Sequence, residues 1–313
     1  MKAPLTDFMA GTIFTGIIIL ILIDFYSDFI LFSAIGLLIS VLGLWIGSDF
    51  FVDQAVFFGE RFSISGKMVG LVILSLAASI DELVLSLTAA FERYGEISIG
   101  NVQGSNIITF FVFLAISPFI LKRRYEHFTK ETLMLSLVYL ALIYFTFTKL
   151  ASFYVGAILV AVFIIYLAVA RTGAPRSNIN EITGHFSLPR ATFGFALLFF
   201  ASYELVKVVT AFSSFLDLSL FTSGFIFAGV SGSLPELFIL ASAIGKRQRD
   251  MSIGVVYGST LFKVSLVLGL SMLVTYVDLG PALYTYFIML ILILAGSLLI
   301  IRYPVEKNRQ SDT

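Results

Sequence analysis

Apolar runs of about 20 residues recur along the whole chain, separated by polar connections. That is the length a helix needs to cross a bilayer. The runs place spans near 8–24, 29–57, 68–92, 98–121, 131–148, 151–170, 191–212, 219–245, 251–275 and 281–301. About ten spans put both termini on one side, and the cations then sort cleanly. Of the 20 Lys and Arg residues, only Arg93 and Lys149 fall in loops of the opposite side. Lys207 and Lys263 lie inside spans, and the rest share the side of the termini, which the positive-inside bias makes cytoplasmic. The one long polar connection, 171–190, holds Gly173, Pro175, Asn178 and Asn180 and reads as a cytoplasmic linker. It is expected to separate an N-terminal membrane half, 8–170, from a C-terminal half, 191–301, with a cytoplasmic tail over 302–313. The first run, Gly11–Ile23, follows no basic leader and is expected to be a retained span.

Composition narrows the function classes. The chain is 58% hydrophobic and 13% charged, with a mean hydropathy of +1.00, far more apolar than a soluble domain. It has no cysteine, which excludes disulfides, thiolate metal sites and cysteine nucleophiles. His127 and His185 lie in polar stretches and form no ligand cluster. No nucleophile–base arrangement, phosphate-cradling loop or cofactor fingerprint appears. The expectation is a multi-pass protein of the cell membrane that is not an enzyme and carries no cofactor. Its partners are the lipid bilayer and inorganic cations, with no nucleic acid and no protein partner implied.

The chain also repeats itself. An offset of 154 residues aligns Gly70 with Gly224, Ser79 with Ser233, Glu82 with Glu236 and Leu83 with Leu237. It aligns Ser98-Ile99-Gly100 with Ser252-Ile253-Gly254, and Val102, Gly104 and Ser105 with Val256, Gly258 and Ser259. No gap interrupts roughly forty residues. The copies fall near 68–121 and 219–275, and the span count starts them from opposite sides of the membrane. Inverted repeats of this kind set substrate sites near the midplane, where the repeats meet. The fold class is therefore an all-α integral membrane protein of about ten transmembrane helices, in two inverted-topology repeats with discontinuous helices at the centre.

Each copy has the chemistry of a hard-cation site. Interruptions are expected in Leu74–Phe91 and Ile99–Phe111, and in Gly229–Ile244 and Ile253–Val264, around Gly100, Gly104, Gly229, Gly232 and Pro235. Proline frees a carbonyl one turn earlier, and glycines let backbones approach closely. Carbonyls, hydroxyls and carboxylates together supply the oxygen ligands that Ca²⁺ or Na⁺ requires. An intramembrane glutamate is costly and functional by default, and here two stand at repeat-related positions. Close helix packing accounts equally well for the glycines alone. Ser105 and Ser259 alone could simply bond the preceding helical turn.

These motifs resemble the sodium/calcium exchanger superfamily, the calcium:cation antiporters, over roughly residues 40–275. The family's repeats read approximately G-T-S-x-P-E, then G-N-x-x-G-S-N-x-x-(N/D). Here stand Ala78-Ser79-Ile80-Asp81-Glu82 and Gly232-Ser233-Leu234-Pro235-Glu236, then Gly100-Asn101-Val102-Gln103-Gly104-Ser105-Asn106 and Gly254-Val255-Val256-Tyr257-Gly258-Ser259-Thr260. The resemblance implies antiport by alternating access, with Glu82 and Glu236 as shared carboxylate ligands. It further implies carbonyl ligands near Ser75, Ala78, Gly229 and Gly232, with Ser79, Ser105, Ser233 and Ser259 lining the site.

The departures are as telling. Ala78 and Gly232 replace the threonine before the serine, so both hydroxyls are lost. Asp81 replaces the first repeat's proline. Thr109 and Lys263 occupy the last Asn or Asp position, so Lys263 places an ammonium beside the central site. An extra first span, and one span fewer after the second repeat, alter the two-times-five layout. Lys263 reads in three ways: a tethered cation that replaces a bound sodium or couples transport to protons, a compensating partner of Asp81, or a side chain snorkelling to an interface. Asp53 and Lys207 lie nearer span ends and suit interfacial anchoring. The leading expectation is exchange of Ca²⁺ against Na⁺. The alternatives are a sodium-independent, proton-coupled antiporter of Ca²⁺ or another cation, and a non-transporting membrane scaffold of the same fold.

Overall fold

The computed structural model describes residues 3–23, 30–61, 79–120, 129–171, 187–245 and 249–302, and the regular elements among them are helices. The first half holds α1 (Ala3–Ile23), α2 (Ile30–Arg61), α3 (Ile80–Phe91), α4 (Gly95–Ile120), α5 (Thr129–Thr148) and α6 (Ser152–Arg171). The second half opens with α7 (Leu188–Phe215) and α8 (Leu220–Ser223), and α8 runs through a π turn, Gly224–Ala228, into α9 (Gly229–Gly245). Next, α10 (Arg249–Phe262) runs through a second π turn, Lys263–Val267, into α11 (Leu268–Val274). A 3₁₀ turn, Gly280–Ala282, leads to α12 (Leu283–Arg302). Helix is found in each segment read as a span, within a few residues of the expected ends except at the start of the 68–92 span, where 68–78 lie outside the described residues and helix is described from Ile80. Among the described residues, five helical stretches are long and apolar enough to cross a membrane, by length and composition.

Apolar side chains point both inward and outward, as the bilayer demands. On α5, Leu135, Val138, Tyr139 and Leu142 are buried, whereas Leu133, Leu137, Leu140 and Tyr144 are exposed. The two sets follow helical spacing, so one face packs on protein and the other meets lipid. Two buried clusters result. One joins α4, α5 and α6 to α10, α11 and α12. The other joins α1, α2 and α3 to α7. The candidate site lies between them.

Tight turns connect the helices on one face. Arg93, Lys149 and Asp217 take left-handed backbone conformations, at φ 66°, 50° and 51°, the usual device for ending a helix abruptly. The two cations of the sparse face, Arg93 and Lys149, are thus both helix-ending residues. The linker region 172–186 and the tail 303–313 lie outside the described residues.

The expected interruptions are not found at the expected positions, apart from the start of Leu74–Phe91, of which 74–78 lie outside the described residues. In the second repeat α9 runs unbroken through Gly229, Gly232 and Pro235 and α10 runs unbroken to Phe262; the irregular turns are π turns that fall just before Gly229 and from Lys263 onward instead. In the first repeat α4 runs unbroken through Ile99–Phe111, against expectation. Its glycines serve close approach instead. A Cβ on Gly104 would lie 3.1 Å from the Gly229 Cα, and one on Gly229 would lie 2.7 Å from the Gly104 Cα. The two repeats therefore touch backbone to backbone at this crossing.

Candidate cation-binding site

The site forms where the start of α3, the middle of α4, α9 and the second π turn converge. Ser79 precedes the first residue of α3 but makes no side-chain cap bond to that helix. Its hydroxyl is free to turn away, and donates to Glu236 Oε1 at 2.8 Å. Asp81 and Glu82 follow in the first turn of α3, where the helix dipole favours negative charge. Both are buried.

Glu236, on α9, is the best satisfied of the buried acids. Besides Ser79, Thr109 on α4 donates to its Oε2 at 2.7 Å, and Lys263 Nζ donates to the same oxygen at 2.7 Å. Lys263 opens the π turn and is fully buried. Its ammonium also lies 3.6 Å from Glu82 Oε1, and so stands between the two glutamates. The position shared by Thr109 and Lys263 thus faces the glutamate of the opposite repeat in both copies. Lys263 additionally reaches the one in its own.

Glu82 has no hydrogen-bond donor on either oxygen. Its side chain lies over Gly232: a Cβ there would come within 2.8 Å of Glu82 Cγ and 3.3 Å of Oε1. This accounts for the missing hydroxyl at position 232, because a threonine would occupy the space Glu82 fills.

The structure corrects two readings of Lys263. It is buried rather than snorkelling, and its ion pairs run to the glutamates rather than to Asp81. Asp81 instead lies beside the Glu82 carboxyl, with no donor of good geometry on either of its oxygens. Asp81 sits one residue before Glu82 on α3, and the ammonium is taken by the carboxylates that face the opposite repeat.

The remaining expected residues divide. Ser105, Ser233 and Ser259 are buried, but donate to their own helices, to the carbonyls of Val102 (3.4 Å), Val230 (2.8 Å) and Val256 (3.4 Å). Gly229 sits in the backbone crossing with Gly104. Ser75 and Ala78 lie outside the described residues, as does the side chain of Asp53. Lys207 is partly buried, with its ammonium 5.1 Å from the Tyr203 ring centroid.

Some polar groups escaped the sequence reading. Asn101 donates to Ser86 at 3.0 Å and to the Glu82 carbonyl at 3.4 Å, tying α4 to α3 behind the site. Glu204 on α7 is a further buried acid. Its position inside a span was signal enough, but its repeat-related residue is Phe50, so the repeat does not pick it out.

The family described as "Sodium/calcium exchanger protein" matches residues 32–171 and 188–311. Inner membrane protein YrbG of Escherichia coli is 25% identical over 297 residues, covering 87% of this chain and 90% of that one. Putative antiporter CaxA of Alkalimonas amylolytica is 27% identical over 263 residues, covering 78% and 80%. Sodium/calcium exchanger MaX1 of Methanosarcina acetivorans is 37% identical over 81 residues, 26% of this chain and 23% of that one. Among solved structures, the sodium-calcium exchanger NCX_Mj, soaked with Na⁺ and Sr²⁺, superposes with a TM-score of 0.56. That match covers 88% of this chain and 92% of NCX_Mj at 23% identity, and it shows the fold.

Proposed function

This chain belongs to the sodium/calcium exchanger protein family, a family of membrane antiporters rather than enzymes, and from that premise we propose that it exchanges Ca²⁺ by alternating access at Glu82 and Glu236. The two carboxylates are the shared ligands at the midplane. Ser79 and Thr109 hold Glu236. Ser105, Ser233 and Ser259, with carbonyls near Ser75, Ala78, Gly229 and Gly232, complete an oxygen set suited to a hard cation. The two halves, 8–170 and 191–301, form the inverted repeats that rock against each other, with the 171–190 linker, the tail and both termini cytoplasmic.

The counter-ion is where Lys263 matters. Family membership favours Na⁺. The observation that favours a sodium-independent cycle is the Lys263 ammonium itself, 2.7 Å from Glu236 and 3.6 Å from Glu82. At about 4 Å and an effective permittivity near 20, a divalent ion and an ammonium repel by about 8 kcal/mol. Bound Ca²⁺ and charged Lys263 therefore exclude each other from the space between the glutamates. As Ca²⁺ enters, Lys263 releases its proton to the side then open to water. As Ca²⁺ leaves, the amine takes a proton back and its ammonium closes the glutamate pair again. The tethered ammonium so replaces a bound sodium, and each Ca²⁺ moves against a proton.

Flux in proteoliposomes with imposed Na⁺, H⁺ and Ca²⁺ gradients in turn tests this. Ca²⁺ uptake driven by a proton gradient and indifferent to sodium is the expected result. Sodium-driven uptake that ignores the proton gradient would return the site to Na⁺ coupling. Ion binding unchanged by both Glu82→Gln and Glu236→Gln would leave a scaffold.

A further inference from the structure

A crevice of about 290 Å³ lies between α1, the end of α3 and the middle of α7. Ile21, Phe91, Phe199 and Phe200 make its walls, with Glu92 and Tyr203 beside them. It is half open, and Phe91 and Phe199 are exposed on it. Both belong to helices read as membrane spans, so the opening faces lipid. The Phe200 ring is braced by Phe14 of α1, edge to face at 5.7 Å between centroids. Because α1 precedes the residues that the family model matches, the crevice belongs to this chain's additional helix and not to the cation site.

The crevice is apolar along its walls and charged at one end. Glu92 follows the last residue of α3 and is exposed. The dipole of that helix already concentrates negative charge there, so carboxylate and helix end together favour a cation. On α7, the Lys207 ammonium lies 5.1 Å from the centroid of the Tyr203 ring. Lys207 is one turn beyond Tyr203, toward the face where α3 ends at the left-handed Arg93 and α7 at Phe215. An anion and a cation thus stand at the membrane-face end of an apolar slot. The matching molecule is a phospholipid with apolar chains under a phosphate and then a primary ammonium, which is phosphatidylethanolamine.

We propose that this crevice binds phosphatidylethanolamine, with one acyl chain along Phe91, Phe199 and Phe200, the headgroup ammonium on Glu92 and the phosphate on Lys207. Every phospholipid can bury a chain there, so chain burial gives affinity without selectivity. The headgroup selects. Its primary ammonium donates hydrogen bonds to the Glu92 carboxylate, whereas the quaternary ammonium of phosphatidylcholine has no N–H to give. Phosphatidylglycerol brings no cation at all. The phosphate is common to all three lipids and draws equally on Lys207. Glu82 stands in the first turn of α3, so a lipid at the last turn anchors the helix that carries it.

The test uses the full chain in detergent, given equal amounts of phosphatidylethanolamine, phosphatidylcholine and phosphatidylglycerol with the same palmitoyl and oleoyl chains. Native mass spectrometry counts the lipid retained, and the unfolding temperature with each lipid alone is the second readout. One phosphatidylethanolamine should be held about fivefold better than either other lipid, the worth of one well-placed exposed ion pair. Its addition should also raise the unfolding temperature most. Glu92→Gln should bring phosphatidylethanolamine down to the level of phosphatidylcholine in both readouts. Lys207→Gln should weaken all three lipids about fivefold and leave their order unchanged. Asp217→Asn, at another exposed acid on the same face, should alter nothing. Equal retention of the three lipids by the unaltered protein would mean annular lipid only. A preference for phosphatidylglycerol would leave Glu92 without a role, and a phosphatidylethanolamine preference that survives Glu92→Gln would put the lipid elsewhere. Each of these three results overturns the proposal.

Discussion

Glu82 and Glu236 occupy the same position in two copies of one motif, yet their surroundings differ sharply. Glu236 is held by a serine, a threonine and an ammonium. Glu82 has only the same ammonium, more distant, an acid as its chain neighbour and a glycine beneath it. The difference arises from where each helix begins. Ser79 stands before α3 and can reach across to the other repeat, whereas its counterpart Ser233 lies within α9 and bonds its own preceding turn. The lysine then adds to an imbalance already present. One carboxylate is held by three donors and the other keeps its oxygens available to an incoming cation, so sequence symmetry does not enforce chemical symmetry.

The sharpest way to break this comparison is to neutralise each acid. Both Glu236→Gln and Glu82→Gln should abolish Ca²⁺ flux, but their effects on stability should diverge. Glu236→Gln leaves Lys263 with only the more distant Glu82, and losing the close partner of a buried pair costs up to about 3–5 kcal/mol. Glu82→Gln should lower the unfolding temperature in detergent far less. Equal losses would erase the asymmetry.

A smaller contrast lies in the serines. Ser79→Ala removes a hydrogen bond to a charged group and should cost about 1.5–3 kcal/mol, with weaker Ca²⁺ binding. Ser233→Ala removes only a bond to its own helix and should change stability by less than about 0.5 kcal/mol. Calorimetric titration with Ca²⁺ on the pair would read both. A third probe is Gly232→Ala, which sets a methyl group against Glu82 and should cost about 1–3 kcal/mol by overpacking. Ca²⁺ affinity should fall with it, and an unchanged affinity would mean that Glu82 need not rest where it does.

Much of this was legible in the chain. The two glutamates and Lys263 are intramembrane charges, and the repeat marked both acids as a pair. The spans followed from apolar runs and the asymmetry of cations. The partners were harder to read, because the bonds of Ser79 and Thr109 to Glu236 cross 157 and 127 residues of sequence. The Asp81–Lys263 pairing failed because matching two departures by charge ignores which way each side chain faces. The glycines of α4 were read as breaks, since sequence alone does not say whether a small residue interrupts a helix or lets another helix cross it. Glu204, lacking a counterpart in the repeat, was passed over for that reason.

The cross-bonding of the halves has a consequence for how the protein is made. Ser79 leaves the ribosome 157 residues before the glutamate it serves, and Lys263 follows later still. At translation rates of about 5–20 residues per second, that is a wait of roughly ten to thirty seconds. For that interval the first half has Glu82 at membrane depth with no ammonium to meet it. The nascent chain therefore has to shelter this acid, at the insertion machinery or in a proton-bearing form, until its last partner arrives.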